Sequence, residues 1–509
     1  MSQEDRARSV FGNRHSDRVY QDACKSKERY LKNFGDDSHA LYHLAACDAP
    51  VIGSALGVRD LVISAHSTHP FDLVADAAAR PVPPTTAHTQ PDAQGRPIIV
   101  GNIRMGFGHY RIAMAMASAA HAMGYTPYWF DLASFSTSTG SKVIAHQNKL
   151  YSLGSKLSQR LPPFNALYWE PLNSEGFRKL SYNAADQKNA ELCVPLFHDL
   201  PTDTPFIGTH VWPAQAAVHA GMTHVVNAIP DNWPMALHLA EGALHTVQTP
   251  STYFGYHELR GMAPKPLKPM PAEDLFYTGH YIDHELVAHI PQDCARRRQR
   301  LRSGGPVRYL LSVGGAGAQL DLFVALCEHL LPLVHRGEAT LFINVGDHAQ
   351  VWRGLKRRLP ELAHKAHEHV NNFDEVARFA EIARDGEVDG VHLFCDSDIF
   401  AAVYSSNVLM RSSDVLITKP SEFSFYPVPK LMIHRVGGHE AWGAIHAAEL
   451  GDGTYELDET AEVLHMIDSF HADRELICFM CDQIERQNRI GTYDGAYRVV
   501  DLAVHGKQG

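Results

Sequence analysis

PIIVGNIRMGFGHYRIAMAMASAAHAMGYTPYWFDL, residues 97–132, decides how the chain is read. It opens on a short apolar run, Ile98 to Val100, and passes through Gly101, Gly106 and Gly108. Ile112, Met116, Ala119, Ala120 and Met123 then recur at helical spacing until Gly124 ends the pattern. A second apolar run, Tyr128 to Phe130, closes on Asp131. Strand, glycine loop, helix and strand in that order open a parallel α/β domain. Gly106 and Gly108 let backbone N–H groups approach a ligand, and the helix start adds partial positive charge. His109 stands at the loop–helix junction, where it either faces such a ligand or simply belongs to a tight turn.

The same rhythm continues downstream. Residues 205–209 (PFIGT) and 224–231 (HVVNAIPD) read as strands on either side of a helix, the second ending in Asp231. A proline-rich link at 263–274 follows, and Val307 restarts the pattern with a strand, a loop holding Gly314, Gly315 and Gly317, and a helix. Further strands fall at 339–348, with Gly346 at the carboxyl end, at 414–420 and at 430–438, before a helix from about Glu440. Two βα runs, each opening with a glycine loop, predict two Rossmann-like domains facing each other across a cleft. Residues 1–96 are then an N-terminal extension and linker, 97–290 the first domain, 300–455 the second and 456–509 a helical tail. The charged, histidine-rich stretch 360–390 reads as a solvated helix.

Composition narrows the function. A chain of 509 residues holds two or three domains, and a formal net charge of −11 argues against non-specific nucleic-acid binding. The first residues are polar rather than signal-like, and no apolar run approaches the ~20 residues that span a bilayer. A cytoplasmic location with at most peripheral membrane association is therefore expected. Among eight scattered cysteines only Cys478 and Cys481 have Cys-x-x-Cys spacing, and they read as reduced. Thirty-two histidines are mostly isolated and form no H-E-x-x-H pattern, so no metal is implied.

The order of motifs resembles the two-domain GT-B glycosyltransferases. The closest group holds the monogalactosyldiacylglycerol synthases, the processive diacylglycerol glucosyltransferases and the peptidoglycan N-acetylglucosaminyltransferase. That group's G-G-G-H-R is similar to Gly106-Phe107-Gly108-His109-Tyr110-Arg111, with one extra residue before the arginine. Its V-T-G-x-P-I-D, which leads from one domain to the next, is similar to YTGHYID (277–283). Its T-K-P-G-G is similar to Thr418-Lys419-Pro420-Ser421-Glu422, and its G-Q-E to Gly438-His439-Glu440. The family then places a helix whose Glu holds the donor ribose. Here 423–429 (FSFYPVP) is too short for that helix, which leaves Glu422 to take over the contact or the donor site altered.

The resemblance implies transfer of a sugar from a nucleotide sugar, UDP-linked, to a hydroxyl acceptor that is a lipid or a small molecule. No cofactor is required, since the UDP-sugar is a co-substrate. An inverting transferase needs a base for the acceptor proton and cations or N–H groups for the leaving diphosphate. Asp231 is the candidate base and His109 a catalytic or positioning group; an Asx-type cap and helix-start packing are their bland alternatives. Gly106, Gly108, Gly314, Gly315, Gly317 and Gly346 are candidates for the diphosphate cradle. Lys419, Glu422, Gly438, His439 and Glu440 are the remaining donor-site candidates, with Glu440 either bonding sugar hydroxyls or serving its own helix start. Three other functions fit parts of the pattern: a GT-B-fold nucleotide-sugar epimerase, an NAD(P)-dependent dehydrogenase using Asp131, and a non-catalytic nucleotide-sugar-binding protein. The dehydrogenase fingerprint lacks its third glycine, where Arg111 stands.

Overall fold

The computed structural model describes residues 5–65, 69–71, 86–90, 92–104, 106–169, 171–172, 176–313, 319–435 and 437–508. The chain divides into two compact units, Met1–His284 with Asp494–Gly509, and Glu285–Tyr493. The first crossing thus falls directly after the YTGHYID segment.

The first unit is built on eight strands: β1 (Leu44–Asp48), β2 (Arg59–Ile63), β3 (Pro97–Asn102), β4 (Thr126–Asp131), β5 (Phe206–Gly208), β6 (Val225–Ala228), β7 (Leu244–Val247) and β8 (Leu275–Tyr277). Their order is β8-β7-β6-β5-β3-β4-β2-β1, parallel throughout except for the β1–β2 pair. Ile98, Ile99 and Val100 in the middle of the sheet are fully buried, as expected of a parallel strand covered on both faces. The helix after β3, α1 (Phe107–Ala122), is also buried almost all round, which explains its run of alanines. Two other helices matter to the site: α2 (Ser181–Ala190), and α3 (Val211–His219), which follows β5.

The second unit carries β9 (Val307–Ser312), β10 (Ala339–Asn344), β11 (Ala366–Val370), β12 (Val391–Cys395), β13 (Val415–Thr418) and β14 (Lys430–Met432), in the order β11-β12-β10-β9-β13-β14 and all parallel. Helix α4 (Ala441–Leu450) follows β14. Two Rossmann-like units in tandem, with the last helix, α5 (Gly495–His505), returning to the first unit, have the organisation of the GT-B fold.

Three expectations need correction. Residues 44–63, read as part of an extension, supply β1 and β2 of the first sheet; their runs are too short and mixed to stand out by period alone. Within 360–390 lies a strand, β11, flanked by helices rather than one solvated helix. Its sequence AHEHV is polar because the strand is at the edge of the sheet. The tail is not one piece: Val463, Ile467, Phe470 and Ile477 belong to the core of the second unit, while α5 belongs to the first. Among the described residues no helix is long and apolar enough to cross a membrane.

Helix α2 is unusual in burying its polar side chains against α3. Trp212 Nε1 donates to Asp186 Oδ1 at 3.0 Å, and one turn away Asn183 and Gln215 both donate to the Leu239 carbonyl at 2.8 Å. Burial pushes the Asp186 carboxyl up to about 7 from its ordinary 3.8. A carboxyl raised in the fold costs stability as pH climbs between the two values. The cost is absent below about pH 4 and complete above about pH 7, on the order of 4 kcal/mol. Asp186→Asn keeps an acceptor for Trp212 and removes the titration. Urea unfolding should show the variant gaining stability relative to wild type by about that amount between pH 4 and pH 8.

Candidate functional site

In both sheets the order of strands reverses at one place, and ligands of α/β sheets bind beyond the strand ends there. In the first unit that place lies between β3 and β5, in the second between β9 and β13. The Phe206 ring of β5 packs over Gly101 of β3: a Cβ there would run into that ring and come within 3.0 Å of Pro213 Cβ. The chain after β3 turns at Gly106, whose φ of +86° suits glycine, and α1 starts without a side-chain cap. Gly108 and His109 are in its first turn.

Four side chains meet beyond these strand ends. His109 Nδ1 is 2.8 Å from the Thr209 carbonyl, which can only accept, so Nδ1 carries a hydrogen and, when the ring is neutral, the lone pair is on Nε2. His210, the next residue, caps α3 by accepting the Trp212 N–H at Nδ1, 3.2 Å away, which puts its own hydrogen on Nε2. The two rings lie edge to face with centroids 4.8 Å apart. Burial holds the His210 ring well below the usual histidine range, reinforced by His109 and His238 and opposed by Asp231, so it is neutral. Asp231, beyond β6, accepts a hydrogen bond from Nε2 of the buried His238 at 2.8 Å. The Asp231 loop is braced by Gln248, which donates to the Pro230 carbonyl at 2.9 Å. The arrangement therefore offers a carboxylate oriented by an imidazole beside two histidines of opposite tautomer.

His210 and His238 were not singled out from the sequence. His210 had a usable signal, since it follows a strand and precedes a helix as His109 does. His238 had none, because only the fold turns it back on Asp231. Asp131, the acid the dehydrogenase reading requires, is 6% exposed and engaged by the Tyr110 hydroxyl and the Ala133 N–H. Arg111 is likewise buried inside α1.

In the second unit, Lys419 follows β13 at the reversal point and forms an ion pair with Glu440. Glu440 also accepts the Gly437 N–H at 3.2 Å, closing the turn Gly438–Glu440 that leads into α4. Glu440 thus serves its own helix start and at the same time holds the lysine. Glu422 opens a short turn, Glu422–Phe425, whose Phe423 and Phe425 are buried. Gly346 is in the left-handed region at φ +57°, and its N–H donates to Asn344 Oδ1 at 2.9 Å, so that amide is committed within the turn. Gly314, Gly315 and Gly317 lie outside the described residues, as does the side chain of His439.

Fold and strand-end geometry define a two-unit α/β protein of the GT-B fold class, with a polar cluster at each point of reversal. Residues 9–258 match the family model described as a domain of unknown function, DUF6937, and residues 270–504 match a second so described, DUF6938. No curated protein matches the chain in sequence. Among solved structures it is similar to the UDP-GlcNAc 2-epimerase from Neisseria meningitidis bound to UDP-GlcNAc, at 11% identity and TM-score 0.44 over 80% of this chain and 99% of that one. It is also similar to an alpha,alpha-trehalose-phosphate synthase (UDP-forming) from Burkholderia vietnamiensis, at 12% identity and TM-score 0.40 over 82% and 100%. A third similar structure is S. aureus MnaA with UDP, at 12% identity and TM-score 0.43 over 80% and 95%.

The Lys419–Glu440 pair is largely enclosed, with 18% and 8% of the side chains exposed. Glu440→Gln retains an acceptor for Gly437 but removes the negative charge facing Lys419. The second unit should lose about 1–3 kcal/mol, measured by urea unfolding, and Lys419→Met added to that variant should restore part of the loss.

Proposed function

We propose that the chain is a glycosyltransferase of the GT-B type that moves a sugar from a nucleotide sugar, UDP-linked, to the hydroxyl of a lipid or small-molecule acceptor. The observation that carries this reading is the convergence of His109, His210, His238 and Asp231 beyond the strand ends where the first sheet reverses. Asp231 takes the proton of the acceptor hydroxyl as its oxygen bonds to the anomeric carbon. The bond from that carbon to the diphosphate oxygen breaks, and the nucleoside diphosphate leaves with the electron pair. His238 holds Asp231 in place through its N–H, and the His109 lone pair and His210 N–H orient hydroxyls of the acceptor or the sugar. In the second unit Lys419 is the cation that would offset the charge developing on the diphosphate. Glu440 sets the position of Lys419.

A second acid–base group in the cluster, His109, packed against His210, also favours a reading as a nucleotide-sugar epimerase, which removes and returns a proton or eliminates and re-adds the nucleotide. The dehydrogenase reading is weakened by the engagement of Asp131 with Tyr110. A thermal-shift panel should show stabilisation by UDP or UDP-sugars and none by NAD(P). With a productive donor, Asp231→Asn and His109→Ala should each lower nucleotide release about 10²–10⁴-fold. Stabilisation by NAD(P) alone, or unchanged turnover in both variants, overturns the assignment. UDP-sugar isomers appearing without nucleotide release would establish the epimerase instead.

A further inference from the structure

Independently of the sugar-transfer reading, we propose that His43, His198 and Asp199 form a binding site for a divalent transition metal such as zinc at the outer edge of the first sheet. One ligand atom from each residue lies within 4.8 Å of the other two. His43 Nδ1 is 3.1 Å from Asp199 Oδ2, and His198 Nδ1 is 2.8 Å from Asp199 Oδ1. An ion with nitrogen and oxygen ligands at ~2.0–2.1 Å in a tetrahedron separates neighbouring ligand atoms by roughly 3.3 Å. Around one oxygen, Asp199 Oδ1, His43 Nδ1 already stands at 3.3 Å and His198 Nδ1 at 2.8 Å, so one contact opens by about half an ångström while the ligand nitrogens of the two rings, within 4.8 Å of each other, close toward that spacing. The imidazole planes stand at 84° with centroids 6.0 Å apart, so the rings approach the carboxylate from different directions rather than stacking.

Donor chemistry selects the class of ion. Two imidazoles and one carboxylate suit zinc, copper, nickel or iron, whereas calcium and magnesium prefer all-oxygen sets. The carboxylate is oriented from behind: the Leu44 N–H donates to Asp199 Oδ2 at 3.0 Å, as is common for carboxylates that ligate metals. Both histidine side chains are 44% exposed, which leaves the outward side open for water to complete the coordination. Without metal, each Nδ1–H donates to Asp199; with metal, each Nδ1 gives its lone pair and the hydrogen sits on Nε2. Such an ion would clip the start of edge strand β1 to the turn after Glu191–Phe197, far away along the chain. The cluster His434, Glu456 and Asp458 differs, because Arg435 already occupies Glu456 through its side chain and its backbone N–H.

Chelator-treated full-length protein, titrated with zinc in equilibrium dialysis, should take up one ion more tightly than the rest. His43→Ala and His198→Ala should each weaken that uptake at least tenfold, Asp199→Asn should weaken it too, and His434→Ala should leave it unchanged. Zinc should raise the melting temperature of wild type and of His434→Ala but not of the two imidazole variants. Circular dichroism without metal checks that those variants keep the wild-type fold. Cobalt substitution should give visible d–d bands that disappear in His43→Ala. Tight uptake that persists in both imidazole variants, or that follows His434, overturns the proposal, as does a wild type with no site tighter than the background of its other histidines.

Discussion

The structure of the first unit turns on a steric constraint between two parallel strands. The Phe206 ring of β5 lies over Gly101 of β3, where no side chain fits, and the strands pair with Gly101 opposite Gly208. Their parallel pairing brings the loops after the two strands together. One of them begins α1 at His109 and the other begins α3 at His210, so the rings meet within 4.8 Å. A sheet wound the other way would leave these histidines on separate strand ends. The position of the polar cluster is therefore a property of strand order before it is a property of any catalytic residue.

Hydrogen bonding then fixes which atoms of the cluster can do what. The Thr209 carbonyl and the Trp212 N–H lock His109 and His210 into opposite tautomers, and burial keeps His210 uncharged. Trp212 is itself tied to Asp186, so the buried polar face of α2 supports the residue that sets the His210 tautomer. Asp231 is oriented by His238 from within the same unit. The second unit follows the same plan with different chemistry: Glu440 closes a turn and positions a cation in one step.

Much of this architecture was legible because its signals are local. Apolar runs closing on a glycine, an aspartate or a lysine–proline pair located β3, β4, β5, β6, β9, β10, β13 and β14, and with them the strand ends that carry His109, Asp231 and Lys419. Where burial did not leave a period, the reading failed: β1 and β2 are short, and β11 is polar because it lies at an edge. Glu440 was legible as a residue at a helix start but not as the partner of Lys419, since the turn that joins them depends on β13 lying beside β14.

The sequence by itself determined two Rossmann-like α/β units and the strand ends at which polar residues collect, because hydrophobic period and glycine position are properties of neighbouring residues. Only the tertiary structure decided that His238 faces Asp231, that His210 faces His109 and that His43 meets His198 and Asp199. The first pairing depends on how the connection after β6 folds back on itself, and the other two depend on the order in which strands lie side by side. That order is set by packing between segments far apart in the chain, and no local pattern of residues encodes it.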